Sequence, residues 1–181
     1  MMLRAKEGLN VYNSANTGSV DGPFKGTNGT RGPELVAVPD PQEPFDETNT
    51  SDPSKLVVGP AVLLPAFESS PNLFGSYWVV AAGSSDGSCS YLEDLEECRA
   101  VAAYEWAIIT GGPPSVATET GCRTGTPGAS EEQFFGGLWL FSREPQSPEN
   151  KEIMMAKAEE LGLDTSVLLE VEHEGCSYPE S

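Results

Sequence analysis

The stretch GLWLFSREP, residues 137–145, carries two leucines and two large aromatics without a break into an arginine. In a β-strand successive side chains point to opposite faces. Leu138, Leu140 and Ser142 therefore form one row, and Trp139, Phe141 and Arg143 the other. Both rows are apolar, so both faces of the strand need a cover. An arginine at the end of such a strand is costly to bury unless its planar fork is paired or stacked.

One cover is written immediately downstream. Ser147 is a natural N-cap, Pro148 suits the first helical position, and Glu149 suits the positive end of the helix dipole. Met154, Ala158 and Leu161 recur at helical spacing and predict an apolar stripe on a helix over 147–161. Gly162 can stop that helix in the left-handed conformation. SVLLEVEHEGC (166–176) alternates apolar and acidic residues and reads as a final strand. One helix covers one face of a sheet, so the Trp139 row requires another layer, and a closed sheet supplies it.

Upstream, SYWVVAAG (76–83) and YEWAIITGG (104–112) join GLWLFSR (137–143) as the three strands with most of the aromatic weight. LNVYNSAN (9–16), ELVAV (34–38) and KLVVG (55–59) read as shorter strands. PDPQEPFDETNTSDPS is an acidic, proline-rich loop over 39–54, and two long loops holding cysteine span 84–103 and 113–136. Strands in series at fairly regular spacing, with one helix near the end, predict an all-β chain. The architecture expected is an up-and-down antiparallel β-barrel with one C-terminal α-helix packed outside, in a single domain over 1–181.

Composition narrows the function. The formal charge of −18 argues against nucleic acid and against anionic membrane surfaces. The longest apolar run, LVVGPAVLLPAF (56–67), is broken by Gly59, Pro60 and Pro65, too short and too interrupted for a transmembrane segment. No signal peptide is visible at the start. The four cysteines, Cys89, Cys98, Cys122 and Cys176, form no C-x-x-C, and His173 is the only histidine, so no metal site is expected. An even cysteine count in loop-like text, with sequons at Asn28 and Asn49, favours disulfides and a secreted or organelle-lumen location.

The order YWVVAAG, YEWAII, LWLFSR, one helix and a terminal LEVEHEGC resembles the lipocalin family, in its apolipoprotein D and bacterial lipocalin branch. KEGLNVYNS matches that branch's second-to-third strand turn, and DPSKLVV its fifth strand. The likeness runs from about Met2 to Tyr178. It implies that Arg143 closes the base of the barrel by stacking on a tryptophan of the first strand. The family's first strand and its G-x-W motif have no counterpart here, and the 84–103 insertion replaces the stretch expected after the sixth strand. The chain is therefore expected to be truncated at its N-terminus, with one unpaired strand edge near 166–172 that promotes homo-oligomers. The family often ties its C-terminal cysteine back to the barrel. The family's partner lies in the early strands, which hold no cysteine here, so Cys122 is the remaining partner: a long-range Cys122–Cys176 bridge is expected, with Cys89–Cys98 closing a local loop.

The function so implied is binding or carriage of a small hydrophobic ligand inside the barrel: a fatty acid, sterol, retinoid, carotenoid or bilin. Trp139 and Phe141 are the expected contacts, with Trp106 and Ile108 on the neighbouring strand and Tyr77 or Trp78 on the one before. No cofactor is expected, and no catalytic set is legible. His173 lies between Glu172 and Glu174 and reads as a solvated histidine. Glu93, Asp94, Glu96 and Glu97 lack the spacing of a calcium loop. Two alternatives stand beside the carrier. One is a lipocalin-like enzyme acting on a carotenoid, as in the xanthophyll de-epoxidases. The other is an extracellular interaction protein without a pocket.

Overall fold

A computed structural model describes residues 9–11, 35–40, 54–66, 74–87, 104–125 and 136–175. These residues fall into two compact units, one within Met1–Ser76 and Glu170–Ser181, the other within Tyr77–Leu169. Described strands are antiparallel with one main helix, as expected, but they do not close into a barrel. None of the described helices is long and apolar enough to cross a membrane.

In the first unit, β1 (Leu9–Val11), β2 (Leu35–Pro39) and β3 (Lys55–Pro60) pair antiparallel in chain order. Proline cannot donate to a strand ladder, and both prolines here sit at strand ends, Pro39 opposite Leu56 and Pro60 opposite Leu35. Val36, Val38, Val57 and Phe74 are the buried cluster, with Leu63 and Leu64 of a 3-10 turn (Ala61–Ala66) packed against it. Gly59 is required by that packing. A Cβ there would stand 2.5–2.8 Å from the Phe74 ring.

The second unit holds the long strand β4 (Gly75–Gly83), which enters it at Tyr77, and β5 (Trp106–Thr110). A two-stranded hairpin of β6 (Val116–Ala117) and β7 (Cys122–Arg123) follows, then β8 (Leu138–Ser142) and the helix α1 (Pro148–Glu160). β4 pairs with β5 across a bulge between Val79 and Ala81, and β5 pairs with β8. Helix α1 lies on β5 and β8. Its start follows the sequence: the Ser147 hydroxyl accepts from the Asn150 amide at 3.3 Å. The Asn150 side chain in turn donates to Ser142 Oγ at 3.2 Å, which ties the first turn to the end of β8.

The end of α1 is a Schellman cap. Gly162 takes φ 74°, its amide donates to the Glu159 carbonyl at 2.9 Å, and the Leu163 amide reaches the Ala158 carbonyl at 2.9 Å. That turn inserts Leu163, not Leu161, into the core. The buried stripe is Asn150, Met154 and Ala158, and the expected Leu161 is 38% exposed. The core of this unit joins Ala81, Trp106, Ile108, Met154, Ala158 and Leu163, with Leu138 and Leu140 packed at its margin.

The expected terminal strand over 166–176 does not form. Asp164 caps a 3-10 turn at Thr165–Val167 by accepting from the Ser166 amide, and the described chain beyond it is irregular to Gly175. Leu169 is 89% exposed and Val171 67%. Alternating residues define a strand only where a partner strand takes up their amides, and none does so among the described residues. The unpaired edge expected at 166–172, and the oligomer expected to follow from it, lose that basis. The loop expected over 113–136 contains the β6–β7 hairpin.

Ile108 is fully buried and Leu161 is not, so Ile108→Ala should lower unfolding stability by about 3 kcal/mol. Leu161→Ala should change it by about 0.5 kcal/mol or less. Urea midpoints of the two variants check the placement of the core.

Candidate functional site

The β5–β8 register sets the geometry. It pairs Trp106 with Ser142, Ala107 with Phe141, Ile108 with Leu140, Ile109 with Trp139 and Thr110 with Leu138. Residues directly opposite across an antiparallel pair share a face. Trp106, Ile108 and Thr110 therefore lie with Leu138 and Leu140 beneath α1, and Trp139 and Phe141 lie on the other face with Ala107 and Ile109. The expected lining set divides between two faces. Trp106 and Ile108 are helix-side core, 7% and 0% exposed, while Trp139 and Phe141 are 42% and 46% exposed. Trp78 pairs with Thr110 on the helix side, which places Tyr77 on the Trp139 face. Partial burial pushes the Tyr77 phenol above its ordinary pKa.

Arg143 is not a plug. It is exposed, its amide donates to the Glu105 carbonyl at 2.9 Å, and its guanidinium Nε donates to the Tyr104 carbonyl. The strand-end arginine is held by the backbone of the two residues that precede β5. Trp106, the tryptophan at that end of β5, directs its Nε1–H to the Ser84 carbonyl at 3.2 Å. Cys89, Cys98 and Cys176 lie outside the described residues, as do Glu93, Asp94, Glu96, Glu97, Asn28 and Asn49. Cys122 is a half-buried free thiol, which gives no support to its bridge with Cys176. His173 is half-buried in the irregular segment.

A concave site does exist, at the far end of the helix-covered face. Thr110, Cys122 and Thr124 meet Leu138, Leu163 and Val167 around a cavity of about 330 Å³. Gly136, Gly137, Arg123 and Asp164 complete its wall. The wall is assembled by close backbone approaches. The Cys122 amide donates to the Gly162 carbonyl at 2.8 Å, and the Asp164 amide donates to the Cys122 carbonyl at 3.0 Å. Thr124 Oγ1 accepts from the Gly137 amide at 2.8 Å and donates to the Gly137 carbonyl at 3.0 Å. Gly121, with φ 151°, lets the hairpin turn sit on residues 162–164. A Cβ there would stand 2.7 Å from the Gly162 carbonyl oxygen.

Asp164 is the polar centre of this wall. Its Oδ1 accepts from Thr120 Oγ1 at 2.7 Å, Ser166 Oγ at 2.6 Å and the Ser166 amide at 3.0 Å. Its Oδ2 accepts from Arg123 Nε at 2.7 Å and is within 3.0 Å of the Thr118 hydroxyl. The Ser166 hydroxyl, then that of Thr120, with the Arg123 guanidinium and the Ser166 amide behind them, hold the carboxyl well below the usual carboxylate range. Burial pushes the other way and is outweighed. One carboxylate thus joins the hairpin to the segment after α1.

Sequence reasoning missed this site. A usable signal lay in GLDTS (162–166), where a glycine stop is followed by an aspartate positioned to cap the next turn. No family model, no curated protein and no solved structure matches the chain.

The pH response of Asp164 follows from its direction of shift. A free aspartate titrates near about 3.9, and the folded value is lower. Its stabilisation is therefore complete above that pH and is lost as pH falls through the folded value. Asp164→Asn should lower the melting temperature at pH 7 and remove part of the acid-induced fall between about pH 4 and 2. Melting curves of both proteins from pH 7 to pH 2 check this.

Proposed function

We propose that the chain is a non-catalytic module that binds a small hydrophobic molecule. The observation that carries this reading is the cavity of about 330 Å³ with Leu138, Leu163 and Val167 in its wall. Its size falls at the lower end of the range for small-molecule sites, whose walls are mostly apolar with a few placed polar groups. Removing apolar surface from water there supplies roughly 25 cal/mol per Å² toward binding. Compared with the barrel interior expected from sequence, the site moves to the end of the helix-covered face, and Trp106 and Ile108 become its structural support.

A lipocalin-like fold is the finer architectural proposal. Its support is the order of antiparallel strands in series with a single helix after the last of them. Location in a secreted or lumenal compartment is likewise proposed, on the cysteine count and the sequons alone.

A second reading, an interaction protein, is favoured by one observation: Trp139 and Phe141 stand side by side on a sheet face and are each more than one-third exposed. Exposed aromatics at that density mark contact surfaces for other proteins.

Val167, 42% exposed at the cavity wall, separates the two. Titration with alkylbenzenes, monoterpenoids, medium-chain fatty acids and retinoids should find a ligand with Kd below about 100 μM. Val167→Trp should weaken it more than about tenfold by filling the cavity, while Trp139→Ala leaves it within about twofold. Absence of any such ligand, or loss through Trp139→Ala with Val167→Trp unaffected, would contradict the cavity reading.

A further inference from the structure

β8 is the last strand of its sheet and pairs with β5 on one side only. The Arg143 amide donates to the Glu105 carbonyl at 2.9 Å, and the Gly111 amide to the Gly137 carbonyl at 2.8 Å. Hydrogen-bonded and non-bonded pairs alternate along an antiparallel ladder. Trp139 and Phe141 therefore exchange backbone bonds with Ile109 and Ala107, and the amides and carbonyls of Leu138, Leu140 and Ser142 point away from β5. No described residue takes up those outward groups. None of the residues of β8 is buried, so its outer edge is open to solvent. The strand also lacks the charge, proline or bulge that usually guards an edge.

We propose that β8 pairs with β8 of a second copy of this chain, antiparallel about a two-fold axis at Leu140, so that two sheets become one. The inference does not depend on ligand binding in the cavity, and it gives the exposed aromatics of the second reading their occupant. Outward groups must meet outward groups, and centring on Leu140 is the register that uses the whole strand. Leu138 then faces the partner's Ser142, and Trp139 faces the partner's Phe141. The aromatic row is thus self-complementary, each copy supplying both halves of a cross-strand pair. Charge favours this contact over others between copies. At −18 each they repel, and β8 carries no charge. The first charged residues beyond it, Arg143 and Glu144, fall opposite the partner's Gly137 and Gly136. The exposed parts of the four aromatics amount to about 400 Å². With the ladder added, the interface stays below about 1,200 Å², the class of weak and transient pairs.

Sedimentation velocity of the full chain from about 10 μM to 1 mM should show a monomer–dimer equilibrium with Kd on the order of 100 μM. Added salt should tighten it by screening the repulsion. In NMR amide exchange, Leu138, Leu140 and Ser142 should slow with rising protein concentration, whereas Trp139 and Phe141 should not change. Trp139→Lys with Phe141→Glu sets opposite charges face to face in this register. It should dimerise at least about tenfold more tightly than Trp139→Lys with Phe141→Lys. Both sites are exposed, so both variants should melt near the wild-type temperature. A monomer throughout, or a dimer whose three outward amides exchange as in the monomer, overturns the proposal. Full protection of those amides at the lowest concentration also overturns it, because another segment then occupies the edge. Equal dimerisation of the two charged variants overturns the register centred on Leu140.

Discussion

The pairing of Trp106 with Ser142 is the constraint on which the second unit depends. Because side chains alternate with a period of two, this single register assigns every residue of β5 and β8 to a face. It sends Trp106, Ile108, Leu138 and Leu140 under α1 and leaves Trp139 and Phe141 on the open side. A slip of one residue would exchange the two sets: Trp139 and Phe141 would have to fit beneath a helix whose inward row is Asn150, Met154 and Ala158. The register therefore decides which row of β8 meets the helix.

The same pairing places Thr110 and Leu138 at the far end of the helix-covered face, where α1 has already stopped at Gly162. Past that point the sheet would lose its cover. The hairpin of β6 and β7, fastened through Asp164, closes the gap only in part, and the remaining space is the cavity. The site thus lies where the chain leaves α1 at Gly162 and the β6–β7 hairpin, fastened through Asp164, forms the wall.

What was legible in the sequence was local. Ser147, Pro148 and Gly162 marked the helix within a residue of where it lies, because capping chemistry acts over a single turn. The strand segments around Trp78, Trp106 and Trp139 were legible from their apolar density. The faces were not. Sequence shows that Trp139 and Phe141 share a row, but which row of β5 lies beside them is a property of pairing, and so Trp106 and Ile108 were assigned to the wrong partners. Leu161 was read as core because helical spacing ignores the Schellman turn, which carries Leu163 inward instead. The run from Leu168 to Glu172 has strand periodicity without a strand partner, and Arg143 resembled a plug only while a closed barrel was assumed. The hairpin strands, two residues each, are too short to leave a periodic signal.

Acrylamide quenching of single-tryptophan variants tests the register most directly. One variant keeps Trp106 with Trp78 and Trp139 changed to Phe, and the other keeps Trp139 with Trp78 and Trp106 changed to Phe. Trp106, 7% exposed beneath the helix, should emit at shorter wavelength and be quenched weakly, whereas Trp139, 42% exposed, should be quenched several-fold more strongly. Equal shielding of both indoles would place them in one enclosed interior and contradict the two-faced sheet.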